Sequence, residues 1–270
     1  MIIQHNIAAV NAYRNLSVNK DNLSKNLEKL SSGYRINRSA DDAAGLAISE
    51  QMRSKINGLD QATANAKDAI GLIQTTEGAL TETHSMLQRM KTLATQAANG
   101  TYNDEARSAI GKEVAALSEE IDRIASTTDY NGIKPIASGA SKMQMQVGPT
   151  SGETLDIPGA DMGVSALSIK SLAVSSVSAA NGSITKIETA INKVSEHRAS
   201  LGAAQNRLEH TINNLKTTSE NMTAAEARIR DTDMAKEIAS YTKNNILNQA
   251  AQAMLAQANQ QPQGVLSLLQ

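Results

Sequence analysis

The sequence predicts a mainly α protein, a long coiled-coil or helical bundle that carries one small β-hairpin region. Three observations lead there. Apolar residues recur at heptad spacing over several long stretches, prolines cluster in the middle with one more near the end, and large aromatic rings are nearly missing. With no Trp, no Phe and five Tyr, the core must be thin enough for Leu, Ile, Val, Met and Ala to fill, as between paired helices.

The prolines stand at 135, 149, 158 and 262, so residues 1–134 and 159–261 are free of the strongest helix breaker. Near the start, Ala9, Leu16, Leu23 and Leu30, with Leu27, form a narrow stripe on a helix otherwise rich in Asn and Lys. Met52, Leu59, Ala66, Ile73, Leu80, Leu87 and Ala94 then recur every seventh residue, and Asn99-Gly100 supplies the stop. A helix over that span is roughly 60 Å long at 1.5 Å per residue. Thr101 and Asp104 have the spacing of a capping box for a third helix, which carries Ile110, Val114, Leu117, Ile121 and Ile124 and ends before Asn131-Gly132 and Pro135.

Residues 136–182 change character. Met143, Met145 and Val147 alternate with polar residues, and Gly148-Pro149 and Pro158-Gly159 mark turns. A small β-hairpin is expected there, followed by a Ser-rich connection through Gly182. Downstream, Ile187, Val194, Leu201, Leu208, Leu215, Met222 and Ile229 hold one heptad position without a break. A second seam position is expected at Ile184, Ile191, Arg198, Gln205, Ile212, Ser219 and Glu226. Residues 244–263 contain ten Asn or Gln and five Ala. Such a segment buries too little apolar surface to offset about 1–2 kcal/mol of backbone entropy per residue. Both terminal helices are therefore expected to be disordered in the monomer and ordered only where neighbouring subunits cover them.

Lys and Arg number 26 against 27 Asp and Glu, a net charge of −1. That balance gives no electrostatic case for nucleic acid or an anionic membrane as partner. No apolar run reaches the ~20 residues of a bilayer span, and the opening MIIQHNIAAVNAYRNL lacks the pattern of a secretory signal. There is no cysteine, hence no disulfide framework or thiolate metal site. No constellation for catalysis, cofactor or metal emerges. His5, His84, His197 and His210 are scattered, and His84 reads as a packing residue on the seam side of its helix. Asp41 and Asp42 resemble a carboxylate pair, but Ser39-x-x-Asp42 is also a helix-start pattern; Asp231 and Asp233 read the same way.

Four segments resemble the bacterial flagellins: SKNLEKLSSGYRINRSADDAAGLAISEQMRSKINGL (24–59), LQRMKTLATQAANGTYN (87–103), EIDRIASTTDYNGIKPI (120–136) and residues 227–270. The resemblance implies an antiparallel hairpin in which the N- and C-terminal helices lie side by side, in a short form without the variable outer domains. Residues 1–42 and 232–270 are then the tube-forming inner segments, and residues 43–231 the outer core, with the β-hairpin and return at 136–182. It implies a non-enzymatic filament subunit, exported unfolded through the flagellar type III apparatus and self-assembling outside the cell. The implied partners are copies of itself, an export chaperone, the filament cap and hook-junction proteins, and a host innate immune receptor. By resemblance, Arg89, Leu93, Gln96 and Glu113 match the surface for axial subunit contact and receptor recognition. At about 100° per residue, Leu93 lies roughly 240° from Leu87 and is expected to face outward. The apolar tip Val265, Leu266, Leu268 and Leu269 corresponds to the chaperone-binding and tube-lining tail. Three rival readings are a hook-junction or minor flagellin, a chemoreceptor signalling hairpin and a filament protein with an inserted peptidase. The chemoreceptor class carries membrane anchors, and the inserted peptidase needs a metal motif between 136 and 182; neither is in the sequence.

Overall fold

The computed structural model describes residues 6–268, with side chains described through residue 261. Five helices and two strands follow in the order α1 (Ile7–Ser32), α2 (Ala43–Ala97), α3 (Asp104–Thr127), β1 (Met143–Gln146), β2 (Thr154–Ile157), α4 (Val177–Arg230) and α5 (Met234–Leu268). The expected fold class is the one observed: long helices paired α1 with α5 and α2 with α4, beside a two-stranded antiparallel sheet. The chain divides into two compact units, residues 57–219 and residues 1–56 with 220–270.

In the unit of residues 57–219, α2 and α4 run antiparallel. Asp60 is bonded to Ser219 (3.1 Å), Glu77 to Arg198 (3.4 Å) and Lys91 to Glu188 (2.9 Å), so rising numbers on one helix meet falling numbers on the other. Ile187, Val194, Leu201, Leu208 and Leu215 are all buried, as the heptad predicts, and the first four of them pack in one core with Ala66, Ile73, Leu80, Leu87 and Ala94. The second buried column of α4 is not the expected one in its first half. Ser183, Ala190, His197 and Ala204 are buried, whereas Ile184, Ile191, Arg198 and Gln205 are only partly so. The small side chains of Ser183, Ala190 and Ala204 let elements approach closely, a role that hydrophobicity does not reveal. On α2 the buried Thr76 and Thr83 hydroxyls donate to the carbonyls of Leu72 and Ala79, so neither hydroxyl is left unpaired in the seam.

Helix α3 is capped by Asn103, whose side chain accepts from the Ala106 N–H, and not by Thr101. Asp104 and Glu105 then sit in the first turn, where the helix dipole favours them. Asn131 and Gly132 form a tight turn with φ of 52° and 83°, closed by reciprocal bonds between Tyr130 and Ile133. The predicted hairpin pairs Met143 with Ile157 and Met145 with Leu155, turning the apolar set of both strands toward the core. It is held to α2 where the Asn65 amide donates to the Gln146 carbonyl (3.1 Å). Gly58 is required beside it, because a methyl there would lie 2.8 Å from Pro149 Cβ. The Ser-rich stretch read as a connection is already helix: α4 begins at Val177, with the Ser176 hydroxyl accepting from the Ala179 N–H.

In the other unit, α1 and α5 pair antiparallel. The Asn6 amide donates to the Ala258 carbonyl (2.8 Å), and at the far end the Thr232 N–H donates to the Gly33 carbonyl (3.0 Å). Gly33, at φ 74°, ends α1 in the left-handed region where glycine carries no steric penalty. Asp42 starts α2 by accepting from the Gly45 N–H, Asp41 folds back onto the Asn37 and Arg38 N–H groups, and Asp233 starts α5 by accepting from Ala235 and Lys236. Asp42 and Asp233 are thus helix-start groups, with Asp42 rather than Ser39 as the cap. Asp41 instead closes the turn before α2, and Asp231 bridges to Tyr34 at the end of α4, which corrects the helix-start reading of those two. The Arg38 N–H lowers the Asp41 pKa.

Candidate assembly surfaces

The expected contact residues divide in the structure. Arg89 and Glu113 are exposed and joined across α2 and α3, with Arg89 Nε and Nη2 donating to one Glu113 oxygen at 2.9 and 2.8 Å. Gln96 is also exposed, and its amide donates to the Tyr102 hydroxyl at 2.7 Å. Together they present a polar patch with both charges at its surface.

Leu93 does not belong to that surface. Its accessibility is 2% and it lies in the core, so the expectation that it faces outward is corrected. The reason is geometric: about 240° one way round a helix is about 120° the other way. A second buried column, Ala69, Thr76, Thr83, Met90 and Ala97, fills the intervening arc. Helix α3 grips α2 on this flank through Glu113 and through Arg107, which donates to the Ala97 carbonyl at 3.1 Å. With α4 and α3 both packed on it, α2 buries a band much wider than one heptad stripe.

The α1–α5 pair is the opposite case. No residue of α1 is fully buried. Large apolar side chains stand open along both helices, among them Val10 and Tyr13 on α1 and Ile238, Ile246 and Met254 on α5. Single exposed apolar residues are ordinary, but a series of them along one helix pair marks a surface made to be covered. Met222 and Ile229, the last two seam residues of α4, lie in this unit and are only half-buried. Val265, Leu266, Leu268 and Leu269 lie outside the residues whose side chains are described.

Sequence reasoning misses a junction in the same unit. The Tyr34 ring lies 4.8 Å from the Arg230 guanidinium and 5.6 Å from that of Arg53. Arg53 also donates to the Tyr34 hydroxyl, which raises the arginine pKa, and pairs with Glu226 at 2.9 Å, while Arg230 pairs with Glu50. Backbone bonds fix the arrangement: Arg35 N–H to the Arg230 carbonyl (2.7 Å) and a bridge between Tyr34 and Asp231. Ile36 is buried in the same strap, and a methyl on Gly45 would lie 2.8 Å from its Cδ1. The only sequence signal is the spacing of arginines and glutamates across two distant segments.

Of the titratable groups, His197 is buried at 7% accessibility, its Nε2 has no partner among the described residues, and burial lowers its pKa. His84 is half-buried, with its Nε2 2.9 Å from the Gln88 amide. Among the described residues, no group of three His, Cys, Asp or Glu side chains is placed to hold a metal ion. No described helix is long and apolar enough to cross a membrane.

Comparison with known proteins decides the family. Residues 3–139 match the bacterial flagellin N-terminal helical region, and residues 184–269 match the C-terminal helical region. The chain belongs to the flagellin family. A flagellin of Halalkalibacterium halodurans is 53% identical over 271 residues, covering 100% of both proteins. That of Bacillus subtilis is 49% identical over 304 residues, again with full coverage of both. The crystal structure of Bacillus cereus flagellin matches 60% of this chain and 94% of that one, at 36% identity and a TM-score of 0.52. A flagellar hook-associated protein of Vibrio parahaemolyticus, covered in full over 71% of this chain, shares the fold at 15% identity and a TM-score of 0.60. This flagellin is accordingly a structural, non-enzymatic subunit of the extracellular flagellar filament, whose partner is further copies of itself.

Proposed function

We propose that two parts of the chain divide the work of polymerisation. Residues 1–42 and 232–270 form the inner tube, and residues 43–231 form the surrounding wall. The observation that carries this reading is the open apolar series on α1 and α5, set against the closed core of residues 57–219. A subunit that leaves Ile246 at 60% and Met254 at 65% accessibility gains by packing them against neighbours. The pair on its own has little burial to hold it, which supports ordering of the termini on assembly.

Arg89, Gln96 and Glu113 supply a polar axial contact, with Leu93 packed beneath as support. The same exposed patch is the surface offered to a host innate immune receptor. Before assembly, the open apolar helices and the tail at Val265, Leu266, Leu268 and Leu269 need cover, the role of an export chaperone. The protein then passes unfolded through the flagellar type III export apparatus and is placed between hook-junction and cap proteins.

The test is Ile246→Asp in the full-length protein. Seeded polymerisation should stop, while the thermal melt of the monomer stays within about 0.5 kcal/mol of the parent, as exposed substitutions do. Filaments growing at the parental rate would remove α5 from the subunit interface. Circular dichroism should also show helicity rising as the intact protein polymerises, and equal helicity in monomer and filament would refute ordering on assembly.

A further inference from the structure

The sequence holds four Asn-Gly steps, at 57–58, 99–100, 131–132 and 181–182. We infer that Asn99-Gly100 is this protein's site of spontaneous deamidation and isoaspartate formation, and that the fold protects the other three. In this reaction the backbone nitrogen of Gly100 attacks Cγ of Asn99. The bond between Cγ and Nδ2 breaks, and ammonia leaves with the proton surrendered by the Gly100 N–H. Water then opens the resulting five-membered imide. Opening at Cγ gives aspartate, and opening at the backbone carbonyl gives isoaspartate, with the backbone rerouted through Cγ.

Three requirements follow: a free Gly N–H, a side chain folded onto the backbone ahead of it, and access to water. Asn57 and Asn181 lie inside α2 and α4, where the following amide is committed to the helical ladder and the backbone cannot bend into a ring. Asn131 is in a turn, but the Gly132 N–H donates to Asp129 Oδ2 at 3.0 Å, and the reciprocal Tyr130–Ile133 bonds at 2.9 and 3.1 Å hold the turn shut. Asn99 meets all three requirements. It lies just beyond the end of α2, and both it and Gly100 are exposed. Among the described residues, nothing accepts from the Gly100 N–H. The Asn99 side-chain oxygen accepts from the Thr101 N–H at 3.2 Å, which folds the side chain forward along the Gly100 backbone. That donor also stabilises the negative charge that develops on Oδ1 during attack.

The product alters a fixed corner. The Asn99 backbone carbonyl accepts from Arg107 Nη2 at 3.2 Å and from the Tyr102 N–H at 3.4 Å, and Tyr102 holds Gln96. An extra backbone carbon at Asn99 moves that carbonyl and loosens the loop that positions Gln96.

The experiment ages the full-length monomer at mildly alkaline pH, digests it at acidic pH, and measures all four Asn-Gly peptides by mass spectrometry. A parallel sample aged in concentrated denaturant removes the protection of the fold. In that sample all four steps should react at similar rates. In the folded protein Asn99 should react on the order of tenfold faster than Asn131, whose N–H must first give up its bond, and faster still than the two helical sites. Earlier conversion of Asn131, or equal conversion at all four sites in the folded protein, would overturn the inference. Gly100→Ala, for which the structure has open space, should slow reaction at Asn99 without changing the melt. Undiminished conversion in that variant would also overturn it.

Discussion

Leu208→Ala tests whether the α2–α4 seam holds the larger unit together. Leu208 is fully buried at 0% accessibility, with Ala204 and Ile212 buried one turn to either side. The bonds Asp60–Ser219 and Glu77–Arg198 bracket it, placing it opposite the α2 stretch that contains Ala66 and Ala69. Alanines facing the gap have no flexible ends to swing into it, and the bracketing bonds limit how far the helices can close. Large-to-small changes of this kind cost about 2–5 kcal/mol, and restricted collapse argues for a value near or above 3. For a unit of this size each kcal/mol lowers the melting temperature by about 2–4 °C, so a fall of about 6–12 °C is expected. Calorimetry of the monomer measures it, with Leu27→Ala on the exposed face of α1 as the control that should hardly move. A shift of less than about 2 °C would mean that the seam relaxes freely and the packing argument is wrong.

Leu93→Asp should cost the monomer several kcal/mol, since it sets a carboxylate in the closed core, and an unchanged melt would return Leu93 to the surface. His197 should make stability pH-dependent. Burial holds its folded pKa below the ordinary 6.5, so the unfolded chain binds more protons in that range. This contribution is complete above pH 6.5 and is lost as pH falls from there through the folded pKa. The melting temperature of His197→Leu should therefore decline less between about pH 7 and pH 5 than that of the parent, and parallel curves would exclude the histidine. At the Tyr34 junction, Tyr34→Phe keeps the ring between its two guanidinium groups, whereas Tyr34→Ala loses it at about 1–2 kcal/mol. Limited proteolysis of residues 33–42 should therefore rise in the alanine variant and not in the phenylalanine variant; equal cleavage of both would show that the ring contributes nothing.

The parts of the fold legible in sequence are those written in large apolar side chains at regular spacing. The column from Ile187 to Leu215 is one, and the alternation of Met143 and Met145 on the hairpin is another. What escapes is written in small residues or in distant pairs. Ser183, Ala190 and Ala204 carry almost no hydropathy signal, yet they are buried along the whole first half of α4. The same bias misplaces Leu93. One strong stripe dominates α2, and the Thr76–Thr83–Met90 column beside it passes as polar, although its Thr hydroxyls are bonded within their own helix. Of the candidate surface, Arg89, Gln96 and Glu113 can be placed outward from sequence. Their pairing with one another and with Tyr102 depends on how α3 folds back, which no local pattern encodes.

The scarcity of aromatic rings follows from the same architecture. In the described structure the large, fully buried side chains are Leu, Ile and Met, set against Ala, Ser and Thr, a combination that fills a narrow seam. A phenylalanine at Ala190 or Ala66 would push the paired helices apart along their length, because displacement at one point of a long, stiff pair is carried into neighbouring turns. A thin seam therefore excludes large rings wherever the helices lie close. Tyrosine is tolerated where one end reaches a polar partner: Tyr34 among arginines and Tyr102 at the end of α2 with Gln96. The seam of residues 57–219 closes on itself and leaves the α1–α5 pair as the main open apolar surface. Changes in the first should be read out in the monomer and changes in the second in the polymer. That separation lets stability and assembly be measured independently in one protein.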